Sequence, residues 1–138
     1  MELPEIPDSR PLSPHLQVYR PMYTMVLSIL HRATGLFLSV ASLLFVAWIG
    51  AVAAGETAYG ALAAAAASLP FRLLLGAMLA AFCYHLFAGL RHLSWDAGYG
   101  FGKPAARAGG AIIVVLAAGA FAATLWLTPV GRWLGVPG

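Results

Sequence analysis

The sequence predicts an all-α integral membrane protein whose 138-residue chain crosses the bilayer three times. Only 9% of the residues are charged, against about 25% in an ordinary soluble domain. The apolar residues, 61% of the chain, fall into three long runs and not into the short alternating or amphipathic segments of a water-soluble core. Polar or proline-containing breaks separate the runs, so each stands as its own span.

Residues 1–23 form the first unit, an N-terminal arm. Pro4, Pro7, Pro11, Pro14 and Pro21 punctuate it, and proline removes a backbone donor and restricts the residue before it, so the arm is expected to be extended. The second unit, 24–138, is the membrane domain. Its first span covers about 24–54, is interrupted by one strong charge, Arg32, and ends at the polar break Gly55-Glu56-Thr57. A secretory signal peptide is the competing reading, because Ala51-Val52-Ala53 resembles a small-residue cleavage site. The apolar stretch is longer than a signal core, however, and the leader is acidic and proline-rich where a signal would be short and basic. The alanine-rich stretch 58–68 is read as a connector, with a short interfacial helix as an option. The second span covers about 70–95. Pro70 sits at its first turn, where the missing N–H is harmless, and Arg72 and Arg91 lie near its ends, where long side chains snorkel. The third span, about 109–128, has no charge, and about 20 such residues cross roughly 30 Å of hydrocarbon. Pro129 is expected to stop it.

A net charge of +3 is too small and scattered to indicate nucleic-acid binding, so no nucleic-acid partner is expected. The basic residues suit membrane orientation better. Arg10 and Arg20 lie in the arm and Arg91, Lys103 and Arg107 after span two, whereas the first connector has none and the tail has Arg132. The positive-inside rule therefore places the N-terminus and the second loop in the cytoplasm, with the C-terminus opposite. Tyr19, Tyr23, Trp95 and Tyr99 would form the inner aromatic belt, and Trp48, Trp126 and Trp133 the outer one. Cys83, the single cysteine, lies within span two. It offers no disulfide and no thiol pair with metal-ligand spacing, so inert packing is its expected role.

An ionisable group inside a span is costly unless paired or facing a polar cavity, and is a functional candidate for that reason. Ser28, His31, Arg32 and Gly35 fall at i, i+3, i+4 and i+7, one helix face that Ser39 and Ser42 continue. On span two, His85, Gly89, His92 and Asp96 also share one face. His85 is the deepest, on the order of 14 Å from the inner helix end at 1.5 Å per residue. A neutral imidazole at that depth suits haem iron, since bis-histidine coordination in a helix bundle is a common electron-transfer arrangement, and Gly89 would leave room for a flat macrocycle. The alternative is a histidine hydrogen-bonding a neighbouring helix as polar glue. Arg32 could pair with a carboxylate, including a haem propionate, or donate to a quinone carbonyl, with Ser28 beside it. Otherwise it snorkels to lipid phosphate or pairs with Asp96. His92, at the inner end of span two, could be merely interfacial.

Arg10-Pro11-Leu12-Ser13-Pro14-His15-Leu16, then Ser28-x-x-His31-Arg32-x-x-Gly35, then His85-x-x-x-Gly89-x-Arg91-His92-x-x-x-Asp96 together resemble the cytochrome b membrane-anchor subunit of succinate dehydrogenase, respiratory complex II. The resemblance runs from the arm through the second inner loop, and span three matches only as a third apolar helix. It implies a three-helix anchor that forms half of a heterodimeric bundle with a second membrane-anchor subunit. It further implies an iron–sulfur subunit and a flavoprotein subunit, one haem b shared between the two anchors, and ubiquinone as substrate. By the same resemblance, His85 is the axial ligand to haem iron and the second anchor supplies the other. Ser28 and Arg32 belong to the quinone site, His31, Arg32 and His92 surround the haem propionates, and Asp96 lies near both.

The chain has no dinucleotide fingerprint and no cysteine cluster for iron–sulfur ligation, so succinate chemistry is expected on other subunits. Two rivals remain open: a haem clamped within one chain by His31 and His85, and a small transporter or structural subunit whose polar stripes line a proton path or glue helices. The acidic first residues do not resemble an arginine-rich transit peptide, which favours a bacterial plasma membrane over a mitochondrial inner membrane.

Overall fold

A computed structural model describes residues 19–135 of the chain. The motif around Arg10 and most of the N-terminal arm lie outside the described residues. Five helices and no strand occur among the described residues: α1 Tyr23–Ala54, α2 Glu56–Ala66, α3 Leu69–Asp96, α4 Lys103–Leu127 and α5 Pro129–Leu134. Helices α1, α3 and α4, of 32, 28 and 25 residues, are long and apolar enough to cross a membrane. At 1.5 Å per residue they measure about 48, 42 and 38 Å, each exceeding a hydrocarbon core of roughly 30 Å. The chain is a multi-pass membrane protein.

The helix starts and stops follow from local chemistry. Gly55 adopts φ 101°, a left-handed backbone that suits glycine, and there the chain turns from α1 into α2. The alanine-rich stretch, read from sequence as a connector, is the 11-residue helix α2, as expected where residues of the highest helix propensity follow one another. Pro70 and Pro104 occupy the first turns of α3 and α4, where proline is tolerated. Helix α4 begins at Lys103, well before the uncharged stretch that was expected to open at 109. A helix does not need to be apolar throughout, and Lys103 and Arg107 are exposed on its first turns. Pro129 does follow the end of α4, but it also opens α5, with Thr128 Oγ1 accepting from the Val130 N–H as cap.

Helix α3 is central, packed on α1 along one side and on α4 along the other, while α1 and α4 touch far less. The buried core is one cluster of Leu27, Cys83, Tyr84, Ala88, Ile113 and Ala117, with Leu79, Phe87, Ala120 and Phe121 against it. Cys83 is a free thiol within it. This core holds the α1 start, the α3 C-terminal half and the α4 N-terminal half together, the end of the bundle that carries the polar stripes. Away from it the apolar side chains face outward, with Leu36, Leu43 and Val115 at 71%, 66% and 69% exposure. Such a surface is stable against lipid or another membrane helix and unstable against water.

Candidate functional site

Helices α1 and α3 bring His31, His85 and His92 together. The His31 ring stacks on His85, with centroids 4.2 Å apart and planes at 26°, and on its other side lies His92 at 4.8 Å and 21°. Trp95 meets the His92 ring edge-on at 4.9 Å. Three imidazoles from the two polar stripes thus form one column, the outcome of α1 and α3 packing with those stripes face to face.

His85 is held more tightly than the sequence suggested. Its Nδ1 lies 3.2 Å from the His31 carbonyl oxygen and 3.3 Å from Thr34 Oγ1. A carbonyl only accepts, so Nδ1 carries the proton and donates. Thr34 Oγ1 is also free to accept from Nδ1, because its own proton serves the Leu30 and His31 carbonyls, each at 2.9 Å. With the proton fixed on Nδ1, Nε2 keeps its lone pair free. A backbone carbonyl on the remote nitrogen is the usual outer-shell arrangement for a ligating histidine. The ring fits because residue 35 is glycine: a Cβ there would stand 3.0 Å from His85 Cε1.

The same turn of α1 is tied to α3 a second time. Tyr84 Oη donates to the Leu27 carbonyl at 2.7 Å, which fixes the level of Ser28 on α1 relative to His85 on α3. Ser28, His31, His85 and His92 are half-buried, whereas Arg32 and Asp96 are exposed. No ion pair joins Arg32 to Asp96 among the described residues, so the sequence alternative in which these two neutralise each other is not realised. The guanidinium of Arg91 is engaged elsewhere: Nη2 donates to the Ala106 carbonyl at 2.8 Å, and the group lies 4.2 Å from the Trp95 ring centre.

Sequence reasoning missed Thr34 and Tyr84. Thr34 lies at i+3 from His31, on the flank of the polar face, and a tyrosine in an apolar span signals a hydroxyl needing a partner. Neither pattern specifies which partner without the packing of α3 on α1.

The donor set fits the group that the sequence resemblance implies. No three His, Cys, Asp or Glu side chains converge on one metal position among the described residues, so they form no coordination cage. His85 is a half-buried imidazole with its tautomer set, and His31 Nε2 is buried with no hydrogen-bond partner among the described residues. Beside Gly89 a Cβ would meet nothing within 4 Å. The arrangement does not support an internal clamp by His31 and His85. Axial ligands approach iron end-on from opposite faces of the macrocycle, whereas these rings lie face to face with no space between them.

A family model described as "Succinate dehydrogenase/Fumarate reductase transmembrane subunit" matches residues 7–125. The chain is 40% identical over 111 residues to the succinate dehydrogenase cytochrome b556 subunit of Rickettsia prowazekii (strain Madrid E), covering 80% of this chain and 86% of that one. It is 48% identical over 96 residues to the cytochrome b556 subunit of Paracoccus denitrificans, covering 67% and 71%. The cytochrome b560 subunit of Reclinomonas americana is 38% identical over 96 residues, covering 66% and 67%.

Proposed function

The chain belongs to the succinate dehydrogenase/fumarate reductase transmembrane subunit family, and from that premise we propose that it binds a b-type haem jointly with a second membrane-anchor subunit and helps form a ubiquinone-reduction site. Its place is that of a membrane-anchor cytochrome b subunit of succinate dehydrogenase. The flavoprotein and iron–sulfur subunits of that complex carry succinate oxidation and deliver electrons toward the membrane.

The observation that carries this reading is the fixed imidazole of His85. Its Nδ1–H is committed to the His31 carbonyl at 3.2 Å, which leaves Nε2 as the atom that would hold haem iron. Bound haem b supplies one-electron transfer. Arg32 would neutralise the propionates and His31 and His92 would hydrogen-bond them, a role that suits His31 Nε2, buried without a partner among the described residues, and the exposed guanidinium of Arg32. Asp96 sits on the same face as His92, near both groups.

Ser28 and Arg32, one turn apart on α1, orient the quinone head group. A guanidinium donates to a carbonyl oxygen and stabilises the negative charge that develops there on reduction, as preorganised donors do. The hydroxyl of Ser28 donates to the same oxygen and fixes the ring's depth. The N-terminal arm faces the cytoplasm, because Arg20, Arg91, Lys103 and Arg107 gather at the end of the bundle that carries the histidines. The Rickettsia and Paracoccus relatives are bacterial, which supports a bacterial plasma membrane over a mitochondrial inner membrane.

Two measurements test this. Arg32→Ala should cut quinone reduction by about 10²-fold or more, the loss seen when one preorganised donor is removed, while succinate oxidation by an artificial acceptor continues. Unchanged quinone turnover would refute the quinone-site assignment. His85→Ala should abolish the low-spin haem spectrum and His31→Ala should retain it. The reverse pattern would refute the shared-ligand assignment.

A further inference from the structure

At the end of the bundle remote from the histidines, two apolar grooves open on either side of α5. The larger, about 520 Å³, lies among α1, α2 and α3 and is lined by Trp48, Leu62, Phe71, Leu75 and Trp133. The smaller, about 370 Å³, lies between α3 and α4 and is lined by Gly76, Ala80, Phe121, Leu125 and Leu134. Both volumes fall within the roughly 300–1,000 Å³ that ligand sites occupy. Consecutive residues of α5, Trp133 and Leu134, line one groove each, so α5 is the ridge between them.

Arg72 stands at this fork. It lines the smaller groove, and its guanidinium carbon is 5.8 Å from the ring centre of Trp133, which lines the larger. Its Nε is buried and has no hydrogen-bond partner among the described residues. A buried guanidinium nitrogen left unpaired is costly and calls for an acceptor, and a phosphate oxygen suits the planar fork of arginine best. Arg72 also lies on the first turn of α3, at the positive end of the helix dipole.

We propose that this forked site binds one diacyl phospholipid, its phosphodiester on Arg72 and one acyl chain in each groove. A single cation between two apolar channels matches the shape of a two-tailed amphiphile. A partner helix, about 10–12 Å across with its side chains, has no forked counterpart. Acyl chains gain no hydrophobic free energy on moving from bilayer to groove, because both surroundings are equally apolar. Selective retention therefore rests on the head-group contact, and loss of Arg72 should release the lipid even though both grooves persist.

The test uses the assembled complex, purified in detergent, stripped of loosely held lipid and examined by native mass spectrometry. Dioleoyl phosphatidylglycerol is titrated as the probe, with dioleoylglycerol as the arm with tails and no phosphate and inorganic phosphate as the arm with no tails. Wild type should retain one more tightly bound phosphatidylglycerol per copy of this chain than Arg72→Gln, whose affinity at that site should fall about tenfold. Neither control ligand should compete. Gly76→Leu, which closes the smaller groove beside Leu134, should weaken retention while the haem absorbance stays unchanged, and it carries the test if Arg72→Gln fails to assemble. Equal phosphatidylglycerol binding by wild type and the assembled variants would overturn the proposal. So would equal retention of dioleoylglycerol, or recovery of a quinone or a cross-linked partner segment from the grooves.

Discussion

Replacing Gly35 by alanine tests the geometry that holds His85. The added Cβ would stand 3.0 Å from His85 Cε1 and 3.6 Å from Nδ1. Carbon atoms prefer about 3.5–4.0 Å, so the ring must withdraw by roughly 0.5–1 Å. It has little freedom to do so, because Nδ1 already lies 3.2 Å from the His31 carbonyl and 3.3 Å from Thr34 Oγ1, and withdrawal breaks both contacts. Overpacking of this kind costs about 1–3 kcal/mol and the lost hydrogen bond about 1 kcal/mol; the helix propensity gained on replacing glycine, about 1 kcal/mol, acts on the fold with or without haem and does not offset them. The total, about 2–4 kcal/mol against the ligating position of the ring, corresponds to roughly a 30- to 700-fold loss of haem affinity at 1.4 kcal/mol per tenfold. Haem content per complex, read from the reduced haemochromogen spectrum, and thermal denaturation of the assembled complex together separate loss of the site from loss of the fold. Gly50→Ala is the control on the same helix, where a Cβ meets nothing within 4 Å; it should leave haem content unchanged. A Gly35→Ala complex with full haem occupancy and an unaltered spectrum would refute the reasoning.

Thr34→Val keeps the shape of the side chain and removes the oxygen beside His85 Nδ1, while the His31 carbonyl still accepts. Haem should stay bound with an altered midpoint potential, and the cost should be about 0.5–1.5 kcal/mol; an unchanged potential and low-spin resonance spectrum would argue that Thr34 does not tune the ligand. Tyr84→Phe removes the donor to the Leu27 carbonyl and should lower the thermal stability of the complex by about 1 kcal/mol. If that hydrogen bond sets the depth of Ser28, the KM for quinone should rise while haem content holds. A KM equal to wild type would confine Tyr84 to packing.

The spans were legible because each is a long apolar run, and length with composition decides that question without tertiary information. The ends were less so. The start of α4 at Lys103 is invisible to a hydropathy argument, which finds the membrane-crossing part of a helix and not the helix. Helix α5 was hidden because a proline reads equally as the end of one helix and the first turn of the next. At the site, the 3.6-residue period put Ser28, His31, Arg32 and Gly35 on one face, and His85 and His92 on another. It could not say that the faces meet, nor that His85 would donate to a backbone carbonyl, an atom every residue has and no side-chain pattern reports.

The packing also explains how α1 and α3 meet at the functional face. Close approach of α1 to α3 is achieved with small residues, Gly35 against the His85 ring and Ala88 in the core, and small residues bury little apolar area. Dispersion and hydrogen bonds must then supply what a soluble core would take from the hydrophobic effect, which is absent between helices in lipid. Among the described residues, the hydrogen bonds crossing from α3 to α1 are those of Tyr84 and His85. One of these residues is also the proposed iron ligand. Binding at His85 therefore reinforces a contact on which the helix pair already depends, and ligand binding to the native state stabilises it by mass action. On this argument, haem loss and separation of α1 from α3 should occur together as the complex unfolds.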